Sequence, residues 1–307
     1  MGQQNHYLRM DLEYDCAMNL KSFQVPISKK IDLQKDYDPA FIPKDINKDQ
    51  SVELLRSEIE KLTQLQDALY AHSSYGILLI FQAMDAAGKD SAIKNIMSGV
   101  NPQGCQVFSF KTPSEEELRH DYLWRYSRCL PERGRIGIFN RSYYEEVLIA
   151  RIRPQILQNQ HLPEELLLKG DRLWQQRFED INHFEQYLTN NGIVILKFFL
   201  NISKDEQKQR FLKRIDTPKK NWKFSMSDVV ERQQWDSYQL AYEDMFNHTS
   251  TDAAPWHIIP ADRKWYTRLV IADIITQRLA SLDLSYPKMT PTQQESLKIA
   301  RDRLSNE

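Results

Sequence analysis

Two rhythms of apolar positions alternate along the chain. Nearly continuous apolar runs occupy 77–83, 136–139 and 193–200, with weaker ones at 256–259 and 107–111. Runs this short and this apolar read as strands buried on both faces. Helical spacing lies between them. Leu55, Ile59, Leu62, Leu65 and Leu69 recur at steps of three and four, which predicts an amphipathic helix over 49–70. Residues 89–97 place Ala92, Ile93, Ile96 and Met97 at similar spacing, with Gly99 as a stop. Residues 173–188 gather Trp174, Phe178, Ile181, Phe184 and Leu188 on one side, and Leu269, Ala272, Ile275 and Leu279 define a late helix. Ser114 with Glu117 and Ser203 with Glu206 form capping boxes.

This alternation predicts an α/β fold, a five-stranded parallel sheet with helices on both faces. Residues 1–48 are polar and broken by Pro26, Pro39 and Pro43, so they read as an extended arm. Residues 153–168 read as an insertion, and 204–245 as a long, charged helical pair between the fourth and fifth strands. The tail, 286–307, is expected to be a charged helix capped by Thr290 with Pro291 in its first position.

Composition narrows the function classes. A formal charge of −1 does not advertise nucleic acid or an anionic membrane as a partner, so any polyanion must be held by a local basic patch. Cys16, Cys105 and Cys129 are odd in number and widely spaced, which argues against a disulfide framework or a zinc site and fits a reducing cytosol. The seven histidines show no metal-ligand spacing. Trp124, Trp174 and Trp235 sit in helical patterns and read as core or interface residues. No window approaches the run of roughly 18 apolar residues that a membrane span needs. Residues 1–14 lack the apolar stretch of a signal peptide, so a cytoplasmic protein is expected.

Three segments carry candidate chemistry. The first is Ala83-Met84-Asp85-Ala86-Ala87-Gly88-Lys89-Asp90-Ser91, between the first strand and the helix that follows. There Gly88 lets backbone approach a phosphate, the helix offers free N–H groups, and Lys89 supplies a point charge. Against G-x-x-x-x-G-K-[ST], Ala83 replaces the first glycine and Asp90 the hydroxyl residue, leaving Asp85 as the natural magnesium ligand. An ordinary strand-to-helix turn is the plain alternative.

The second segment ends the strand at 136–139 with Asn140, Arg141, Ser142, Tyr143, Tyr144 and Glu145. Asn140 can offer magnesium a neutral carbonyl, Arg141 a forked grip on phosphate, and Glu145 the missing negative charge. The third is a basic run, Arg210, Lys213, Arg214, Lys219, Lys220 and Lys223, in which Asp216 is the only acid. A solvated helix face normally mixes signs, so a long polyanion passing here would explain the imbalance.

Together the strings FQAMDAAGKDSAIKNIMSGVNPQG, GIFNRSYYEEVL, LKFFLNISKDEQKQRFLKRI with NWKFS, and YEDMFNHTSTDAAPWHIIPAD resemble the polyphosphate kinase 2 family over roughly 30–285. The resemblance implies a P-loop kinase-like, three-layer α/β/α fold, with a catalytic domain at 49–285 and a helical lid at about 204–245. It implies Mg²⁺, with Mn²⁺ as an alternative, and phosphoryl transfer from inorganic polyphosphate to a nucleotide. It makes Asp85, Lys89, Arg141, Asn140 and Glu145 the catalytic group, and Asp85, Asn140, Glu145 and Asp228 the metal set. Ala86, Ala87, Gly88, Lys89 and Asp90 with Arg210, Lys213, Arg214, Lys220 and Lys223 would bind phosphate. Asn140, where many members have aspartate, resembles the class III subgroup, which phosphorylates both AMP and ADP. Relatives lead one to expect a dimer or tetramer. The alternatives are an ADP/GDP-only polyphosphate kinase, an ATP-dependent nucleoside monophosphate kinase of thymidylate kinase type, and a non-catalytic nucleotide sensor or polyphosphate-binding module.

Overall fold

A computed structural model describes residues 20–307. The first part of the expected arm, 1–19 with His6 and Cys16, lies outside the described residues.

Five strands, β1 (Gly76–Gln82), β2 (Cys105–Ser109), β3 (Ile136–Asn140), β4 (Ile193–Asn201) and β5 (Trp256–Pro260), form one parallel sheet in the order β2-β3-β1-β4-β5. The apolar runs explain the order. β1 and β4 are buried at every position and lie centrally, with Ile77 opposite both Ile136 and Val194. β2 is an edge strand with half-exposed residues, and it begins two positions earlier than expected. Its segment lacks a clean apolar run, and Phe110, counted toward the strand, instead packs on Tyr126 and Phe139 beyond its end. At the opposite edge the arm covers β5: the Val25 N–H donates to the Trp256 carbonyl at 2.9 Å, and Gln24 bridges His257. An edge so paired no longer invites another strand.

The main helices are α1 (Lys48–His72), α2 (Lys89–Ile96), α3 (Asp171–Asn190), α4 (Lys204–Ile215), α5 (Met226–Gln233), α6 (Trp235–Thr249), α7 (Lys264–Ala280) and α8 (Pro291–Ser305). α7 packs on α1 and α2 and against β4 and β5, while α3 packs on α6 and β4, giving the three-layer P-loop kinase-like arrangement. α2 stops at Ile96, before Gly99. Gly99 serves another need, because a Cβ there would sit 2.7 Å from Thr63 Oγ1 on α1.

Two details differ from expectation. The charged stretch 204–245 is not two long helices: Pro218 opens a short 3-10 segment, Pro218–Lys223, and Ser225 caps a new helix. Ser203 caps α4, but Glu206 does not reach back; its carboxylate accepts from Arg210 Nε at 2.8 Å. The insertion, 153–168, holds two short helices, Pro154–Gln158 and Glu164–Leu167. α8 begins at Pro291 with a Thr290–Gln293 capping box, and none of its side chains is buried.

Candidate active site

The loop between β1 and α2 is shaped from both ends. Ala86 (φ 62°) and Gly88 (φ 112°) both take the left-handed conformation, which folds the backbone into a tight arch. Gly88 occupies the N-cap of α2 and brings no side chain to cap it. The first N–H groups of α2 therefore have neither an intrahelical carbonyl nor a side-chain acceptor, the condition that favours an anion. Lys89 folds back across the arch and donates to the Ala83 carbonyl at 2.8 Å. Burial first, then the nearby Arg141 charge, pushes its ammonium down to about 8, against the pull of Asp85, Glu145 and Asp90.

Arg141 enters from the end of β3. Its backbone, at φ 67°, is pinned by an N–H bond to the Phe81 carbonyl at 3.0 Å, and its guanidinium donates to Asp85 at 3.1 Å. The Glu145 carboxylate is the main cause of its raised pKa, with burial opposing and Asp85 adding. Burial raises the Glu145 carboxyl pKa, although Arg141 and Lys89 pull it down. Asn140 spends its amide on Asp90 (2.8 Å), which leaves its side-chain oxygen for a ligand. For Asp90 burial works upward, but that bond and the Lys223 and Lys89 charges prevail and lower its pKa.

The stretch 204–245 closes one side. Gln207 donates to the Asp85 carbonyl at 2.9 Å, and Arg232 holds Gln207 in place at 2.8 Å. Arg210 donates to the carbonyls of Ala86 (3.1 Å), Ala87 (2.6 Å), Ala261 (2.6 Å) and Asp262 (3.2 Å). Arg214 holds Asp228 at 3.2 Å and the Lys223 carbonyl at 3.1 Å, and Lys223 lies 3.7 Å from Asp90. Burial, then the Asp85 charge, raises the pKa of Asp228.

Asp85, Lys89, Asp90, Asn140, Arg141, Glu145, Arg210, Lys223 and Asp228 thus converge on one loop. Ala86 and Ala87 lend it their backbone. Lys213 is apart from this group: its carbonyl accepts from Thr217, and its side chain enters no hydrogen bond or ion pair among the described residues. Lys220 sits in the 3-10 segment Pro218–Lys223, where its backbone N–H donates to the Thr217 carbonyl at 2.7 Å. Sequence reasoning missed three participants. Gln207 carries no motif, and Lys264 and Arg268 are cations in the first turns of α7, outside any motif. The i,i+4 spacing of that cationic pair was the one available signal.

The metal candidates are oxygen donors throughout, the kind that suits a hard divalent cation. Among the described residues no three His, Cys, Asp or Glu are gathered into a ready-made cage. Such an open set fits an ion that arrives with phosphate and keeps part of its water shell. Among the described residues, too, no helix is long and apolar enough to cross a membrane.

Fold and loop together define a P-loop-type phosphotransferase. The polyphosphate kinase 2 family profile matches residues 45–286, and the chain belongs to that family. It is 51% identical over 287 residues to the ADP-polyphosphate phosphotransferase of Rhodopseudomonas palustris, covering 92% of this chain and 98% of that one. It is 43% identical over 241 residues to the AMP/ADP-polyphosphate phosphotransferase of Meiothermus ruber, covering 78% and 85%. The crystal structure of polyphosphate kinase 2 from Arthrobacter aurescens superposes with a TM-score of 0.80 at 36% identity, over 91% of this chain and 95% of that one. Phosphotransferases of this type use a divalent metal.

Proposed function

We propose that the protein transfers the terminal phosphoryl group of inorganic polyphosphate to nucleoside mono- and diphosphates, AMP to ADP and ADP to ATP, with Mg²⁺. The observation that carries this is the Arg141–Asp85 pair set beside Lys89 at the uncapped start of α2. The names of the two relatives support it.

An acceptor phosphate oxygen attacks the terminal phosphorus of the donor. The bridging P–O bond breaks, and a chain one phosphate shorter departs. The acceptor is already an anion, so no strong base is needed, and the work is alignment and charge compensation. Lys89 and Arg141 neutralise the group in transfer, and the α2 N–H groups hold its oxygens. Glu145 keeps Arg141 turned inward, while Gln207 and Arg210 fix the loop. Asp85, with Glu145, Asp228 and the Asn140 oxygen, would hold the divalent cation, which when bound supplies charge neutralisation between donor and acceptor. The same reading takes 204–245 as a lid, 49–285 as the catalytic domain, and a cytoplasmic dimer or tetramer as the working form.

A specific observation favours a second reading. The more similar of the two relatives is named for ADP alone, so transfer restricted to diphosphates competes. One assay separates the readings: polyphosphate, Mg²⁺ and AMP, with AMP, ADP and ATP followed in one time course. Successive rise of ADP and ATP is expected, abolished by EDTA. Conversion of ADP but not AMP selects the diphosphate enzyme. Transfer from ATP but not from polyphosphate overturns both.

A further inference from the structure

Arg141 and Glu145 reach the loop from one short turn, and the three residues between them, Ser142, Tyr143 and Tyr144, are wholly buried. Ser142 caps the 3-10 segment Tyr143–Val147 by accepting from the Tyr144 N–H at 3.3 Å, and it accepts from Gln82, at the end of β1, at 3.3 Å. The two tyrosines run into the core. Both hydroxyls donate to the same atom, Glu185 Oε1, at 2.8 Å. Neighbouring side chains on a 3-10 turn diverge by about 120°, so two that meet on one oxygen fix how the turn is rotated.

The anchor itself is held. The second oxygen of Glu185 accepts from Lys197 at 2.6 Å. Lys197 rises from β4, opposite Ile80 of β1, and also donates to the Tyr144 hydroxyl and the Thr249 carbonyl at 2.7 Å. Tyr143 meets Phe184 edge to face, and Tyr144 meets Trp256 in the same way. Burial first, then the Glu185 charge, raises the pKa of both phenols, so they remain donors. The anchor therefore stands on α3 and on a central strand, the stiffest parts of the sheet layer.

The turn needs such an anchor. Arg141 holds a left-handed backbone, which persists only where its surroundings over-determine it. Stability alone does not explain a buried ion pair, because apolar residues of similar volume often serve as well. We propose that Glu185 is a positioning residue for phosphoryl transfer: by holding Tyr143 and Tyr144 together, it sets the angle at which Arg141 meets Asp85 and the group in transfer. Lys197 keeps the carboxylate in place. Glu185 and Lys197 are 1% and 0% exposed, so neither touches substrate, and both act through Arg141. This rests on the function proposed above and extends it to residues outside the loop.

The test is steady-state kinetics with polyphosphate and ADP in Tyr143→Phe, Tyr144→Phe and the double variant, each made in the wild-type and the Arg141→Ala backgrounds. Phenylalanine keeps each ring and removes only the donor. In the wild-type background kcat should fall roughly tenfold for either change and about 100-fold for both, as expected of a misplaced catalytic group. The KM values for polyphosphate and ADP should stay near wild type. In the Arg141→Ala background most of that loss should disappear, because the group being aimed is already gone. A merely structural contact would lower the urea midpoint and cost the same turnover in both backgrounds. Glu185→Leu combined with Lys197→Met removes the anchor without stranding a charge, and it should reproduce the fall in kcat. Folded phenylalanine variants with near-normal kcat overturn the proposal, as does an equal loss in both backgrounds. A wild-type enzyme inactive with polyphosphate would instead remove the proposed function, and the positioning role with it.

Discussion

Arg141, at the end of β3, donates to Asp85, in the loop after β1, across 3.1 Å. The contact joins two parallel strands at their carboxyl ends, where open α/β sheets place their ligands. Arg141 adopts a left-handed backbone to make it. For a long side chain that conformation costs on the order of 1–2 kcal/mol, so the rest of the structure sustains it.

Replacing either partner should therefore separate activity from stability. Asp85→Asn and Arg141→Ala are expected to lower turnover with polyphosphate and ADP by roughly 100- to 1000-fold, the usual cost of losing one charge-stabilising contact. The two side chains are 42% and 31% exposed, so the pair contributes no more than about 1 kcal/mol to folding. Steady-state kinetics beside urea melts will check both halves. Near-normal turnover in either variant would remove the pair from the chemistry.

A second ion pair has the opposite character. Lys197 and Glu185 meet at 2.6 Å and are almost wholly buried. Tyr143 and Tyr144 both donate to Glu185 at 2.8 Å, and Lys197 also reaches the Tyr144 hydroxyl and the Thr249 carbonyl at 2.7 Å. Glu185→Leu or Lys197→Met alone leaves a buried charge unpaired and should cost about 3–5 kcal/mol. The double variant should recover much of that loss, because neither charge is then stranded. Urea denaturation of the three variants measures it. A double variant as unstable as the sum of the singles would show that the tyrosine network, not the charges, dominates.

The contrast between these pairs shows what was legible in the sequence. Asp85, Lys89 and Arg141 could be read because each sits at a strand end, in a local string whose chemistry is conspicuous. The central strands could be read because burial on both faces leaves no polar interruption; the one exception, Lys197 in β4, is accommodated by Glu185. That partnership was invisible, since it depends on α3 crossing β4. β2 was misplaced by two residues because an edge strand carries a mixed pattern. The carbonyl partners of Arg210 were hidden for a related reason. A basic run displays its charge, but not the carbonyls that tertiary structure brings to it.

His257, on β5, gives a pH dependence of stability. Burial, with the Lys197 charge adding to it, pushes its imidazole down to about 4, against the pull of the Lys197 carbonyl. The unfolded chain then binds a proton more readily than the folded one. This residue's contribution is complete above an unfolded pKa of about 6.5 and is lost as pH falls toward 4. Between pH 7 and pH 5 it should remove about 2 kcal/mol. Urea melts at both values, compared with His257→Gln, isolate the effect. A variant that loses as much stability as wild type would assign the acid sensitivity elsewhere.

Arg210 distinguishes a loop latch from a phosphate grip. Its side chain is 8% exposed, and its donors span carbonyls on the phosphate loop and on the turn after β5. A lysine keeps the charge but cannot bridge both turns, because it lacks the planar fork. If Arg210 chiefly held phosphate, Arg210→Lys would raise the KM for polyphosphate and leave stability near wild type. As a latch, it predicts the reverse. Carbonyls left without donors should cost about 1–3 kcal/mol in folding. The loosened loop should lower kcat, with the KM for long polyphosphate changed less than twofold. Thermal denaturation and a comparison of kcat and KM with the wild type decide it.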